Sequence, residues 1–160
     1  MPVRSPAAPE TDQTRFGKAV HRLLETWNGA AGHGFDPGQL RRIAREFALP
    51  EAASREAAAM AQRILQGEGA WAWDPAAVDW QGNEVPVHHE GQSLRLDRLV
   101  RRAATGEWWV LDYKSLARPQ EQGELLDQMW HYRAAVQAAN PGAAVRAAFL
   151  TGQGKLVVVE

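Results

Sequence analysis

The chain has 160 residues, a formal net charge of −1, 45% hydrophobic and 23% charged residues, which suits one globular domain that buries a core without covalent staples. It has no cysteine, which excludes disulfides, thiolate zinc sites and thiolate-held iron–sulfur clusters; any metal must sit on Asp, Glu, His or backbone oxygen, donors suited to Mg²⁺ or Mn²⁺. The near-neutral balance rules out a global basic field for nucleic acid, so such binding must rest on a local patch; with no apolar run of membrane-spanning length and no signal peptide, a cytoplasmic protein with no membrane partner is expected.

Residues 1–13, rich in Pro and Ala without periodicity, are expected to form a flexible linker or tail, with a single domain over 14–160. Phe16, Val20, Leu23, Leu24 and Trp27 recur at helical spacing and predict a helix over 14–28, ended in the stretch holding Gly29 and Gly32. Two more helices are predicted over 37–48 and 51–66, the first opened by Asp36-Pro37 as N-cap and first-turn proline, the two separated by Pro50. Strands are predicted at 84–89, 93–102 and 107–114, with turns at Gly91 and at Ala103–Gly106. Trp108–Tyr113 is apolar on both faces except at Asp112, the pattern of a central, covered strand. A helix over about 120–139, stopped by Asn140-Pro141-Gly142, and strands at 145–150 and 155–159 complete an α/β chain with a mixed sheet.

The chemistry centres on Asp112-Tyr113-Lys114. A strand alternates faces, so Asp112 and Lys114 project together. If Arg102 pairs with Glu107 across the turn, Asp97 falls opposite Asp112, with the two carboxylates about 5 Å apart on one face. Like charges so placed need a proton or a cation between them, and a hard divalent ion takes carboxylate oxygens. Asp-x-Lys alone reads equally as a solvated face or a surface ion pair. His21 lies on the edge of the first helix's apolar stripe, one turn after Gly17, whose cost of about 1 kcal/mol in a helix interior suggests that something approaches closely there. His21 could equally be a hydrogen-bonded packing residue, and Glu25 could orient its ring or face water. Gln128 and Tyr132, one turn apart on the stripe of Leu125, Met129, Val136 and Ala139, are either a core-edge amide and a packing tyrosine or a polar pair facing the acids. Gly152-Gln153-Gly154-Lys155 lacks the spacing and hydroxyl residue of an ATPase phosphate loop, so ATP hydrolysis by this chain is not expected.

Five segments in order resemble the motifs of RecB-like nucleases in the PD-(D/E)XK superfamily. Arg15–Glu25 resembles the family's glycine–histidine–leucine–glutamate helix, Asn83-Glu84-Val85-Pro86 its glutamate-bearing strand, and Leu96-Asp97-Arg98 its first acidic strand. Val110–Ser115 resembles its aspartate–tyrosine–lysine strand, and Gln128–Tyr132 its glutamine-x-x-x-tyrosine helix. The resemblance covers about residues 14–150, with 33–82 matching only as a variable helical insert. It implies a restriction-endonuclease-like core with a mixed central sheet flanked by helices and an N-terminal helical region. It also implies a Mg²⁺- or Mn²⁺-dependent (exo)deoxyribonuclease. His21, Asp97, Asp112 and the carbonyl of Tyr113 would be metal ligands, Lys114 the catalytic lysine, and Gln128 and Tyr132 supports of the site or of the DNA strand. Lacking the cysteines of relatives that carry an iron–sulfur cluster, the chain sides with the branch fused to helicases in double-strand-break repair. DNA, as single-stranded ends, and a linked or associated helicase are the implied partners. Lys18, Arg22, Arg98, Arg101 and Arg118 could hold the DNA backbone or be solvated charges. Two rivals stand beside this reading: an inactive nuclease-fold module that binds DNA or a helicase, and an interaction module built on Trp71, Trp73 and Trp80.

Overall fold

The computed structural model describes residues 10–27 and 34–160. Most of the expected tail, and the glycines expected to end the first helix, lie outside the described residues. The first helix, α1 (Asp12–Glu25), begins two residues earlier than its apolar stripe, because Thr11 caps it by accepting from the Thr14 amide. Ala19, Val20, Leu23 and Leu24 form its buried face. Asp36 caps α2 (Pro37–Glu46) by accepting from the Gly38 amide, with Pro37 in the first turn. Next comes α3 (Glu51–Gln66), whose buried seam of Ser54, Ala57, Ala58 and Ala61 is small enough for α1 to lie close against it.

After a 3₁₀ turn at Ala70–Trp73 the chain enters a five-stranded sheet in sequential order: β1 (Val78–His89), β2 (Gln92–Arg102), β3 (Trp108–Lys114), β4 (Val145–Thr151) and β5 (Leu156–Val159). All neighbours are antiparallel except β3 and β4, which are parallel and joined across the sheet by α4 (Gly123–Ala139). A 3₁₀ turn at Pro119–Glu121 precedes α4 and delays its start relative to the expected residue 120. The first strand starts six residues before the expected 84, since the polar Gln81, Gly82 and Asn83 lack a strand pattern but pair with Val100, Leu99 and Arg98 of β2, after a register shift at Asp79.

The sheet divides the core in two. On one face Val100, Trp109, Leu111, Tyr113, Ala148 and Leu150 pack under α1, α2 and α3; on the other Leu99, Val110, Ala147 and Phe149 pack under Met129, Tyr132 and Val136 of α4. Hence β3 is apolar on both sides and buried from Trp109 to Tyr113, the central covered strand expected. The mixed sheet with helices on both faces is the expected fold class. No helix among the described residues is long and apolar enough to cross a membrane.

Two local irregularities place the site. The β2–β3 ladder has the expected register, with the Arg102 amide donating to the Glu107 carbonyl, but its last rung is Arg98 against Leu111. Asp97 is one step past the ladder, and its carboxylate accepts the Tyr113 amide proton at 2.9 Å in place of a backbone partner. On the other side of β2 the rung Glu84–Asp97 is also missing, and Glu84 has φ of +50°. Alternation breaks there: Leu96 joins the α4 core although Arg98 and Val100 face the opposite helices. The strand therefore opens at Asp97, and side chains from both faces can meet in the gap.

Candidate active site

His21 reaches this gap from α1. Its Nε2 lies 3.1 Å from the Tyr113 carbonyl oxygen and 3.3 Å from Asp97 Oδ2. Asp112, at the end of β3, is 4% exposed. Lys114 shares its strand face, and Nζ stands 3.1 Å from Asp112 Oδ2, too poorly aligned to give that buried oxygen a directed hydrogen bond. The Lys114 carbonyl is pinned from β4's end by the Gly152 amide at 2.9 Å, where a Cβ on residue 152 would strike Met60 and crowd the Ser115 carbonyl. Four of the residues singled out from sequence thus converge with Tyr113's carbonyl: His21, Asp97, Asp112 and Lys114.

The titrations show the strain of packing two acids together. Burial and the charge of Asp97 push the Asp112 carboxyl up to about 7, against the pull of Lys114. Asp97 moves the other way: burial would raise it, but the hydrogen bond and charge of His21, together with Asp112 and the Tyr113 amide, hold it below its ordinary value. Burial would lower His21, yet Asp97, the Tyr113 carbonyl and Asp112 raise it. The two acids thus split: Asp97, bonded to His21, favours its ionised form, and Asp112 is driven toward the neutral acid.

Among the described residues no three His, Asp or Glu side chains stand close enough to hold an ion as they are. The donors nonetheless fit one. An imidazole nitrogen faces a carboxylate and a peptide carbonyl, a second carboxylate has a buried oxygen without a directed partner, and hard divalent cations take such oxygens in preference to thiolates.

The other expected participants are sorted by the structure. Gln128 donates to the Tyr132 hydroxyl at 2.8 Å. Burial, then the charges of Asp112 and Asp97, push Tyr132 up to about 12, so its hydroxyl is a neutral donor near the acids. Gln128 and Ala139 are exposed, and Ala135 takes the buried position expected of Ala139. Glu25 pairs with Arg22 at 3.4 Å, and no bond joins it to the His21 ring. Gly17 has open space where a Cβ would project, and lines a cleft of about 290 Å³ with Lys18, His21, Lys114 and Ser115.

Arg98 is not a DNA-facing residue. It is 2% exposed on the opposite face from the acids, donating to the Ala72 carbonyl, Asn83 Oδ1 and Gln81 Oε1 and stacking 4.5 Å from the Trp73 ring. The guanidinium satisfies acceptors from the Ala70–Trp73 turn and β1, which ties both to β2 beside Asp97. Arg101 and Arg118 are held by Asp79 and Glu121. Nor is there an exposed Trp71–Trp73–Trp80 patch, because Trp71 and Trp73 pack on the core and only Trp80, 43% exposed, stands out.

The sequence reading gave Glu84 no role beyond its motif, and missed Phe47 and Arg95. These three line a second cleft of about 270 Å³ with Lys18, His21 and Arg22, on the other side of His21. Burial, then Asp97 and Glu25, raise the Glu84 carboxyl. The turn of the chain at Glu84 carries no sequence mark, since glutamate rarely takes a positive φ.

An opening within β2 carrying Asp97, a covered strand ending in Asp112 and Lys114, and a helix bringing in His21 define a protein built to concentrate anionic and basic groups at one point. Residues 3–158 match the model of the PD-(D/E)XK nuclease superfamily. The chain belongs to that superfamily, whose members generally use a divalent metal and act on nucleic acid. No curated protein matches it.

Proposed function

We propose that this domain hydrolyses DNA phosphodiester bonds with a divalent metal, Mg²⁺ or Mn²⁺, and that it belongs to the RecB-like, helicase-associated branch, acting as an exonuclease on single-stranded ends. The observation that carries the reading is the convergence of His21 Nε2, the Tyr113 carbonyl and the Asp97 carboxylate within 3.3 Å of the ring nitrogen, beside the Asp112–Lys114 pair. Uncatalysed phosphate-ester hydrolysis is among the slowest reactions, which makes a lone acid–base pair inadequate. Bound at Asp97, Asp112, His21 and the Tyr113 carbonyl, the metal supplies a polarised phosphate oxygen and a water of lowered pKa.

The remaining roles belong to the chain itself. Lys114 places an ammonium beside the acids, where it can offset negative charge growing on the phosphate oxygens or orient the attacking water. The His21 ring must be unprotonated at Nε2 to serve as a ligand, so the pull of Asp97 toward the protonated ring opposes metal binding. Tyr132, held by Gln128, offers a hydroxyl donor from the α4 side. Lys18 is the cation shared by the two clefts that flank His21. The arrangement of a tail over residues 1–13 and one domain over 14–160, with 33–82 as an insert, is part of this proposal.

The decisive experiment incubates labelled single-stranded and duplex DNA with Mg²⁺, Mn²⁺ or EDTA. Cleavage in either metal and none in EDTA is expected. No cleavage in any condition, with DNA binding retained, would favour the inactive binding module.

A further inference from the structure

The described arginines divide into two groups. Most have a carboxylate, a backbone carbonyl or an indole ring as partner, as at Arg15, Arg55, Arg63 and Arg102. Among the described residues Arg41, Arg42, Arg45 and Arg95 have none, although all the chain's acidic residues lie in the described part. Three of the four sit on one helix, α2, and all three are exposed there. The fourth lines the cleft beside His21.

This cluster runs against local electrostatics. Arg41 and Arg45 are one turn apart, where like charges oppose helix formation. Arg41 and Arg42 both reach back over Gly38. The α2 acid, Glu46, is engaged by Arg22 of α1 and neutralises none of the three. Arg45, in the last turn, favours the helix dipole, and Asp36 and Glu51 lie near the cluster, yet none of the three arginines forms an ion pair among the described residues. Three exposed cations without one on a short helix, in a chain of net charge −1, point to an anionic ligand.

The cluster also leads to the site. Phe47, the residue that ends α2, lines the same cleft as Arg95, Lys18, Arg22 and His21, and its ring receives the Arg22 guanidinium. Arg41 and Arg45 line a separate groove with Leu49 and Glu51, so a polyanion there would cross the C-terminal end of α2 to reach Phe47 and Arg95. Arg41 and Arg45 are separated by about 6 Å along the helix axis, so they present charge repeatedly along a line.

We infer that α2 is an electrostatic track for the sugar–phosphate backbone of nucleic acid, with Arg41, Arg42 and Arg45 gripping the strand and Arg95 guiding it past Phe47 into the site. The inference rests on the nuclease reading for what happens at the end of the track, though not for the binding itself. It assigns the helical insert a function in substrate capture. Its occupant is a single strand of nucleic acid, held without regard to sequence, since no base-reading side chain accompanies the arginines.

The test compares wild type with the triple variant Arg41→Gln/Arg42→Gln/Arg45→Gln, using fluorescence anisotropy of a labelled single-stranded oligonucleotide in EDTA across a salt series. Loss of three phosphate contacts should flatten the slope of log affinity against log salt by about 2 and weaken binding at low salt by tenfold or more. The triple Arg→Lys variant should restore most affinity, because a phosphate contact of this kind needs charge, and Arg55→Gln should change nothing. With metal present, the Gln variant should raise KM for the oligonucleotide at unchanged kcat, and should cleave bis(p-nitrophenyl) phosphate, too small to reach α2, as wild type does. Equal affinity and equal salt slope in wild type and the Gln variant overturn the inference, as does failure of wild type to bind the oligonucleotide. If wild type binds but cleaves nothing in Mg²⁺ or Mn²⁺, the nuclease reading falls while the binding arms still decide the role of α2.

Discussion

Replacing Asp112 with asparagine should stabilise the metal-free protein, and increasingly so as pH rises above about 4. The Asp112 carboxyl titrates near 7 in the folded chain against 3.8 as an ordinary carboxyl, because it is buried beside ionised Asp97. Between those two pH values the folded state holds a proton that the unfolded state has lost. Stability therefore falls as pH rises from about 4 to about 7 and stays at the lower level above that. A shift of about 3 units at 1.36 kcal/mol each makes the penalty at pH 8 on the order of 4 kcal/mol, an upper bound because the two acids titrate as a pair. Asparagine keeps the shape and cannot ionise. In EDTA, Asp112→Asn should thus melt only about 3–6 °C above wild type at pH 5 and up to about 16 °C above it at pH 8.5, at roughly 2–4 °C per kcal/mol for a domain of this size. Mn²⁺ should reverse the order, since ligand binding stabilises only the protein that holds it. The assay is thermal unfolding followed by circular dichroism at the two pH values, with and without the metal. An equal change in melting temperature at pH 5 and pH 8.5 in EDTA would refute the argument, for it would mean that Asp112 is not a strained anion.

Other outcomes follow from the same geometry. Lys114→Ala should abolish DNA cleavage while leaving melting temperature and Mn²⁺ affinity near wild type, since the ammonium touches Asp112 but is no ligand; unchanged cleavage would remove Lys114 from the mechanism. Asp97→Ala should weaken Mn²⁺ binding strongly in calorimetric titration and also lower stability by about 1–3 kcal/mol, because the buried Tyr113 amide and His21 lose their shared acceptor. His21, raised by Asp97, contributes stability to the metal-free protein that is complete below pH 6.5 and disappears as pH rises through its folded value; NMR titration of its ring should show the upward shift in wild type and its loss in Asp97→Ala. Arg98→Met should lower stability by roughly 1–3 kcal/mol, as the buried Ala72 carbonyl goes unpaired and the Gln81 and Asn83 side chains lose their partner, and urea unfolding measures it.

Strand periodicity carried the reading far because β3 is covered on both faces. Its apolar run made Asp112 conspicuous, and turn chemistry at Ala103–Gly106 set the register that brings Asp97 level with it. Helix caps were equally legible at Asp36, where side-chain chemistry and the following proline leave little choice. What escaped the pattern was set by tertiary pairing. The first half of β1 is polar because its partner and the buried Arg98 supply its contacts, so Gln81 and Asn83 look like loop residues while serving as acceptors for the Arg98 guanidinium. Arg98 itself was misread for the same reason: a basic residue next to a candidate ligand looks solvent-facing until a cage of carbonyl and amide oxygens is built around it.

That misreading also shows why Asp97 is where it is. Strict alternation would put Asp97 on the α4 face with Leu99 and leave His21, across the sheet, out of reach. The strand instead breaks its alternation at the missing Glu84–Asp97 rung, and the two residues that follow are locked by Arg98 on one side and by the Leu99–Val110 pair on the other. Asp97 stays in the gap because the Tyr113 amide needs an acceptor there and no backbone carbonyl provides one. The loss of one ladder bond is thus offset by a charge-assisted bond from the same carboxylate that meets His21. A substitution that restored regular pairing at Glu84 would pull β2 back against β1, return Asp97 to strict alternation and separate it from the imidazole, which makes the irregularity at Glu84 as much a part of the site as the groups it assembles.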